Sequence, residues 1–145
     1  MSNIYSQHTY DAALLIRALG AAITATETGS IVLDVGDALF VGDLVIDYSG
    51  LDVATGDEAY TFMLEGSPDA AFGTAANITV CAMQRIGGAT GATPVGTADP
   101  AAGSITVPFR NERGGKVFRY LRLYTLLAGT TPSIVFKAFL AKSYS

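Results

Sequence analysis

From residue 21 onward the apolar positions recur mostly at every second residue, the period of strands that bury one face. Ile31-Val32-Leu33-Asp34-Val35 is β-branched and partly alternating, and Gly36-Asp37 closes it as a turn. Leu44, Ile46 and Tyr48 alternate with Val45, Asp47 and Ser49, and Tyr60, Phe62 and Leu64 alternate with Thr61, Met63 and Glu65. Gly66-Ser67-Pro68-Asp69 is a strong turn signal, since Pro presets φ and Asp caps its own backbone. Ile78, Val80 and Ala82 then alternate with Thr79, Cys81 and Met83. Further strands are predicted at Ile105–Phe109, from Val117 to about Leu127, and at Ile134–Leu140 after the turn Gly129-Thr130-Thr131-Pro132. About seven or eight antiparallel strands at turn spacings near 8–12 residues predict an all-β fold, a β-sandwich or jelly roll.

The first twenty residues follow a different pattern. Met1–Tyr10 is polar with two tyrosines and reads as an arm. Asp11 could cap a short helix that Gly20 ends, but the stretch between is apolar nearly all round and would serve equally as an extended arm laid on a partner. The chain therefore divides into an N-terminal arm or short helix, residues 1–20, and one β-sandwich domain, residues 21–145. Gly87–Gly103, rich in Gly, Ala, Thr and Pro, is long for a connection and predicts a functional lobe or a mobile loop.

Composition narrows the function. The 145 residues are 50% apolar and 15% charged, with one Cys and one His. Such a chain forms a core without disulfides, and its apolar excess suggests that another chain covers part of its surface. Net charge is −4, unevenly spread: residues 1–72 carry eleven acids against Arg17 alone, and residues 73–145 carry eight bases against Asp99 and Glu112. That asymmetry favours self-association or docking on a charged neighbour. Nucleic acid is not an expected partner, because the balance is acidic and no Lys/Arg-rich arm is present. No apolar run reaches the ~18 residues of a membrane helix, so a membrane is not expected either. Ala12–Ile16 lacks the basic flank of a signal peptide, and the lone Cys81 agrees with a reducing cytosol.

Candidate chemistry is sparse, and no catalytic residue, cofactor or metal is expected. His8 sits in the polar arm away from any nucleophile motif. Cys81, mid-strand among Val80, Ala82 and Met83, reads as a sheet residue. Asp34, Asp37, Asp43, Asp47, Asp52, Asp57 and Glu58 lack calcium-loop spacing, and Asp37, Asp43 and Asp57 stand directly beside Gly, where turns recruit Asp. Asp57 and Glu58, as neighbours on a strand, would point to opposite faces and so make a poor acid–base pair. Gly114-Gly115-Lys116 lacks the earlier Gly and following Ser/Thr of a phosphate loop and reads as a hairpin turn. The suggestive cluster is Arg110, Arg113, Lys116, Arg119 and Arg122. The first three would crowd a hairpin tip, and arginine forks fit the carboxylates of a neighbouring subunit.

Three segments carry a family resemblance. Ala22–Gly36 resembles the opening strand pair of tailed-bacteriophage capsid cement (decoration) proteins of the small jelly-roll type. Tyr60–Phe72, with Gly66-Ser67-Pro68-Asp69, resembles that family's strand-turn-strand, and Arg119-Tyr120-Leu121-Arg122-Leu123 its penultimate strand. The similarity spans about residues 21–142. It implies a structural virion protein without a catalytic site, made in the host cytoplasm and bound to the outer capsid surface. There it would bridge subunits of the phage major capsid protein as a homodimer or homotrimer. Under that reading, Ile4, Tyr5, Leu14 and Leu15 of the arm and Arg110, Arg113 and Lys116 of the hairpin are the expected interface residues. The alternative is a jelly-roll binding module, such as a head-fibre base or a glycan-binding lectin-like domain. That alternative predicts exposed aromatics in the 49–58 or 88–103 loops, and neither contains one.

Overall fold

The computed structural model describes residues 12–87 and 99–142. Two antiparallel sheets pack face to face as a β-sandwich. In the first, β4 (Val41–Leu51) lies between β11 (Ile134–Lys142) and β7 (Gly103–Arg110), and β1 (Leu15–Arg17) flanks β11. In the second, β5 (Ala59–Ser67) lies between β6 (Thr79–Gly87) and β10 (Tyr120–Ala128). Two short strands, β2 (Glu27–Thr28) and β3 (Leu33–Asp34), both pair with β10. A separate hairpin joins β8 (Glu112–Arg113) to β9 (Lys116–Val117). Among the described residues no helix is long and apolar enough to cross a membrane.

The core follows the alternation. Leu44, Ile46, Tyr60, Phe62, Leu64, Leu121, Phe136 and Leu140 are fully buried between the sheets. Phe62 and Phe136 meet edge-to-face across the interior, with ring centroids 5.4 Å apart. That offset geometry adds attraction beyond the buried area.

Several expectations are corrected. Residues 11–19 form no helix over their described part: Ala12–Leu14 is a single 3-10 turn and Leu15–Arg17 is strand β1. The extended form wins because it places Ile16 wholly inside the core. Arg17 then lies 4.1 Å over the Phe136 ring, donates to the Phe136 carbonyl and pairs with Glu27 at 2.9 Å. Leu15–Arg17 therefore take the extended alternative and pair with β11.

The predicted strand at residues 31–35 shrinks to Leu33–Asp34. Between the pairings Thr28–Tyr124 and Leu33–Leu121 the edge chain carries two residues more than β10, and the excess loops out. The strand predicted from Val117 is broken as well. Lys116–Val117 stays in the hairpin, Phe118 turns into the core, and pairing resumes at Tyr120.

A third departure lies in β6. Leu64 pairs with Ala82, but Glu65 pairs with Val80, so Cys81 is the extra residue of a β-bulge. The bulge turns both Cys81 and Ala82 inward and sends Val80 to the surface, against the simple alternation.

The sheet edges are short or obstructed. β1, β2 and β3 run three, two and two residues. The free side of β7 carries Pro108, which has no N–H to donate. β6, an edge strand of the other sheet, is kinked by the bulge in its pairing with β5, and there the Arg113 side chain donates to the Cys81 carbonyl.

Candidate functional site

The basic hairpin expected from the sequence stands at one end of the sandwich. Gly114 and Gly115 have positive φ, 57° and 81°, which lets β8 turn directly into β9. Arg110, Arg113 and Lys116 are all exposed around this turn. Arg110 Nε lies 3.5 Å from Glu112 Oε2, while Glu112 Oε1 accepts the Gly115 N–H at 2.8 Å. One carboxylate thus serves both the turn and Arg110. Arg113 Nη2 donates to the Cys81 carbonyl at 3.3 Å, and neither Arg113 nor Lys116 has an ion pair among the described residues.

A buried amide roots this hairpin. Asn111 is fully buried; its Nδ2 donates to the Ala38 and Phe118 carbonyls at 3.1 Å each, and its Oδ1 accepts the Phe40 N–H at 2.7 Å. Its backbone also bonds to Phe40 and Phe118. Three of these hydrogen bonds tie the base of the hairpin to the entry of β4, and the two with Phe118 close the hairpin itself. Sequence reading passed over Asn111 because an isolated Asn after a strand looks like any turn residue.

Apolar side chains surround the charges. Val41, Val80 and Val117 are each about two-fifths exposed, and Leu39, between two residues bonded to Asn111, is half exposed. An open groove of about 580 Å³ runs beside the hairpin, lined by Val41, Cys81, Pro108, Phe109, Arg110 and Arg113. An apolar floor with arginines at its rim has the composition of a protein contact surface.

The other two members of the basic cluster are committed within the chain. Arg119 forms a two-pronged pair with Asp34, at 2.8 and 2.9 Å. Arg122 pairs with Glu65 at 2.7 Å and lies 4.2 Å over the Phe72 ring. The expected five-base cluster thus reduces to the three residues at the hairpin. Of the arm residues, Leu14 packs against the main core, and Leu15 joins a small cluster with Val45, Phe139 and Ala141 on the outer face of the β4 sheet. Both remain half-buried. Ile4, Tyr5 and His8 lie outside the described residues, as does the 88–98 part of the Gly/Ala/Thr loop.

The carboxylates considered for catalysis close turns. Asp57 accepts the Thr130 N–H at 3.0 Å and its hydroxyl at 2.9 Å, and these two bonds hold its carboxyl below the usual range. Glu58 lies just before β5, not in it, and is fully buried. Burial opposes its ionisation, but its own backbone N–H, the Thr55 hydroxyl and the Thr55 and Gly56 N–H groups outweigh that effect and lower its pKa. Asp34 and Asp52 bond to N–H groups two residues on, and Asp69 does the same while also bonding Gly73, as turn acids do. The Arg119 guanidinium and the Gly36 N–H lower the Asp34 pKa. Burial pushes the Cys81 thiol up to about 11, with nearby Arg113 acting the other way, so it stays a thiol at neutral pH.

These shifts predict a two-sided stability profile. Depressed carboxyls stabilise the fold fully above their unfolded values, so stability should fall as pH drops below about 4. Cys81 and Tyr60, both raised by burial, stabilise it below their unfolded values, so stability should also decline as pH climbs from about 9 through 11. Thermal midpoints from pH 2 to 11 check this, and a midpoint unchanged at about pH 3 would contradict the acid branch.

Compared with known proteins, the chain matches no family model and no curated protein.

Proposed function

We propose that this chain is an adhesive structural protein that docks its hairpin end onto neighbouring subunits of a larger assembly, acting as a cement protein on the outer surface of a phage capsid. The observation that carries this reading is the surface around the hairpin. There, exposed Val41 shares a groove with Arg110 and Arg113, and exposed Val117 lines a neighbouring cleft with Lys116, on a base hydrogen-bonded by Asn111. Exposed apolar side chains beside Arg113 and Lys116, which have no ion pair among the described residues, fit a partner that supplies both apolar area and carboxylates.

The winding of the chain supports the jelly-roll part of the reading. The strands order as β1-β11-β4-β7 in one sheet and β2-β10-β5-β6 in the other, with β3 beside β2 along β10. With β2 and β3 counted as one interrupted strand, this order fits eight strands folded as two Greek keys, an architecture found in viral capsid and lectin domains. A protein that binds only the assembled shell stabilises it by mass action, with no chemistry required.

The test is rebinding to shells. Particles purified from the source of the gene should carry the chain in the sedimenting fraction, and stripped shells should take it up again. Reversing two charges, Arg113→Glu with Lys116→Glu, should weaken uptake by about tenfold or more and flatten its dependence on salt. Recovery of the chain solely in the soluble fraction would overturn the reading, and unchanged uptake by the double variant would remove the hairpin from the interface.

A further inference from the structure

We infer that the groove beside the hairpin is a receptor for an extended acidic segment, seating one apolar side chain on its floor and the flanking carboxylates on Arg110 and Arg113. This deepens the docking reading above and rests on it for the partner's identity, though not for the groove's chemistry. The floor is apolar: Phe109 and Cys81 are almost fully buried at its base, with Val41 and exposed Pro108 along its sides. Its open volume of about 580 Å³ is ample for a leucine- or phenylalanine-sized side chain.

The rim decides the charge of the occupant. Arg113 spends one N–H on the Cys81 carbonyl, which leaves most of its five donors for another group. Among the described residues Arg110 has only the 3.5 Å contact with Glu112, whose other oxygen is held by Gly115. Two guanidinium forks over an apolar slot are complementary to carboxylates on either side of an apolar residue. Ladder pairing is a poor alternative route of attachment here. Pro108 removes a donor from the β7 edge, and the bulge with Arg113 interrupts the β6 edge. The occupant is therefore held by side chains, an anchor and its charges.

The experiment uses the whole chain and a fluorescein-labelled pentapeptide, Glu-Asp-Leu-Asp-Glu, blocked at both ends. Three control peptides replace its Leu by Ser, its acids by Lys, or both. Anisotropy titrations should show saturable binding of the acidic Leu peptide alone, weakening as ionic strength rises past about 0.15 M. Arg113→Gln and, separately, Val41→Asp should each lower affinity about tenfold, with urea midpoints confirming that both variants stay folded. Bound peptide should also slow the reaction of the Cys81 thiol with a small thiol reagent.

Equal binding of the Lys peptide or the Ser peptide, indifference to both substitutions, or no binding at all would overturn the inference. So would a solution mass that falls with Val41→Asp, since a second copy of this chain would then be the occupant. The two readings fail separately. Shells that bind both variants as well as the original sink the groove and leave the docking reading. Peptide binding without shell binding sinks the docking reading and leaves the groove.

Discussion

Replacing Phe136 by Ala should cost about 4–5 kcal/mol, the largest loss expected from any single substitution discussed for this chain. The ring is wholly buried, meets Phe62 edge-to-face at 5.4 Å and lies under the Arg17 guanidinium at 4.1 Å. Truncation leaves a cavity between the two sheets and also strips one face from a charged group that is nine-tenths buried. Because a domain of this size is stable by only about 5–15 kcal/mol, the variant should be close to unfolding at body temperature. Urea titration reads the effect as a lower midpoint at an unchanged slope. Phe136→Leu, which keeps most of the volume, should lose only about 1–2 kcal/mol. A cost below about 2 kcal/mol for Phe136→Ala would mean that the sheets close over the gap, so the ring would not be what sets their spacing.

The second large effect concerns Asn111. Asn111→Ala removes both amide donors and the acceptor, leaving the Phe40 N–H and the Ala38 and Phe118 carbonyls short of partners. Each buried polar group so orphaned costs about 1–3 kcal/mol, less where water can enter, and a total near 3 kcal/mol is expected. Asn111→Asp should be no better, since a carboxylate there keeps the acceptor, loses both donors and buries a charge. The two variants also separate stability from attachment. Freed from β4, the hairpin should exchange its amide hydrogens faster, and on the proposed docking reading shell uptake should drop even at temperatures where the sandwich stays folded. Normal exchange at the Phe40 amide in Asn111→Ala would show that water replaces the side chain.

The sheets were legible from residue order because β5 and β10 alternate along most of their length and the core-facing positions of β4 keep the same period. Leu44 and Ile46, Tyr60, Phe62 and Leu64, and Leu121 and Leu123 all face the interior as the period-2 pattern implies. The departures share a physical cause. Periodicity assumes an uninterrupted ladder, and the Cys81 bulge, the looped-out residues before Leu33 and the break at Phe118 each insert residues that a ladder does not count. Strand β1 was hidden because three residues are too few for a pattern, although Ile16 is a core residue. At the candidate site, Arg110, Arg113 and Lys116 were visible as a charge cluster on a Gly-Gly turn. Which arginines were already paired was not, because Asp34 and Glu65 lie 85 and 57 residues away from theirs in the chain.

The obstructed edges bear on life in a crowd. A proline on β7, a kinked β6 held by an arginine side chain, and margins of two or three residues elsewhere leave little backbone on which a foreign strand could template. Copies packed shoulder to shoulder at very high local density should therefore stay separate, resisting the stacking that seeds amyloid.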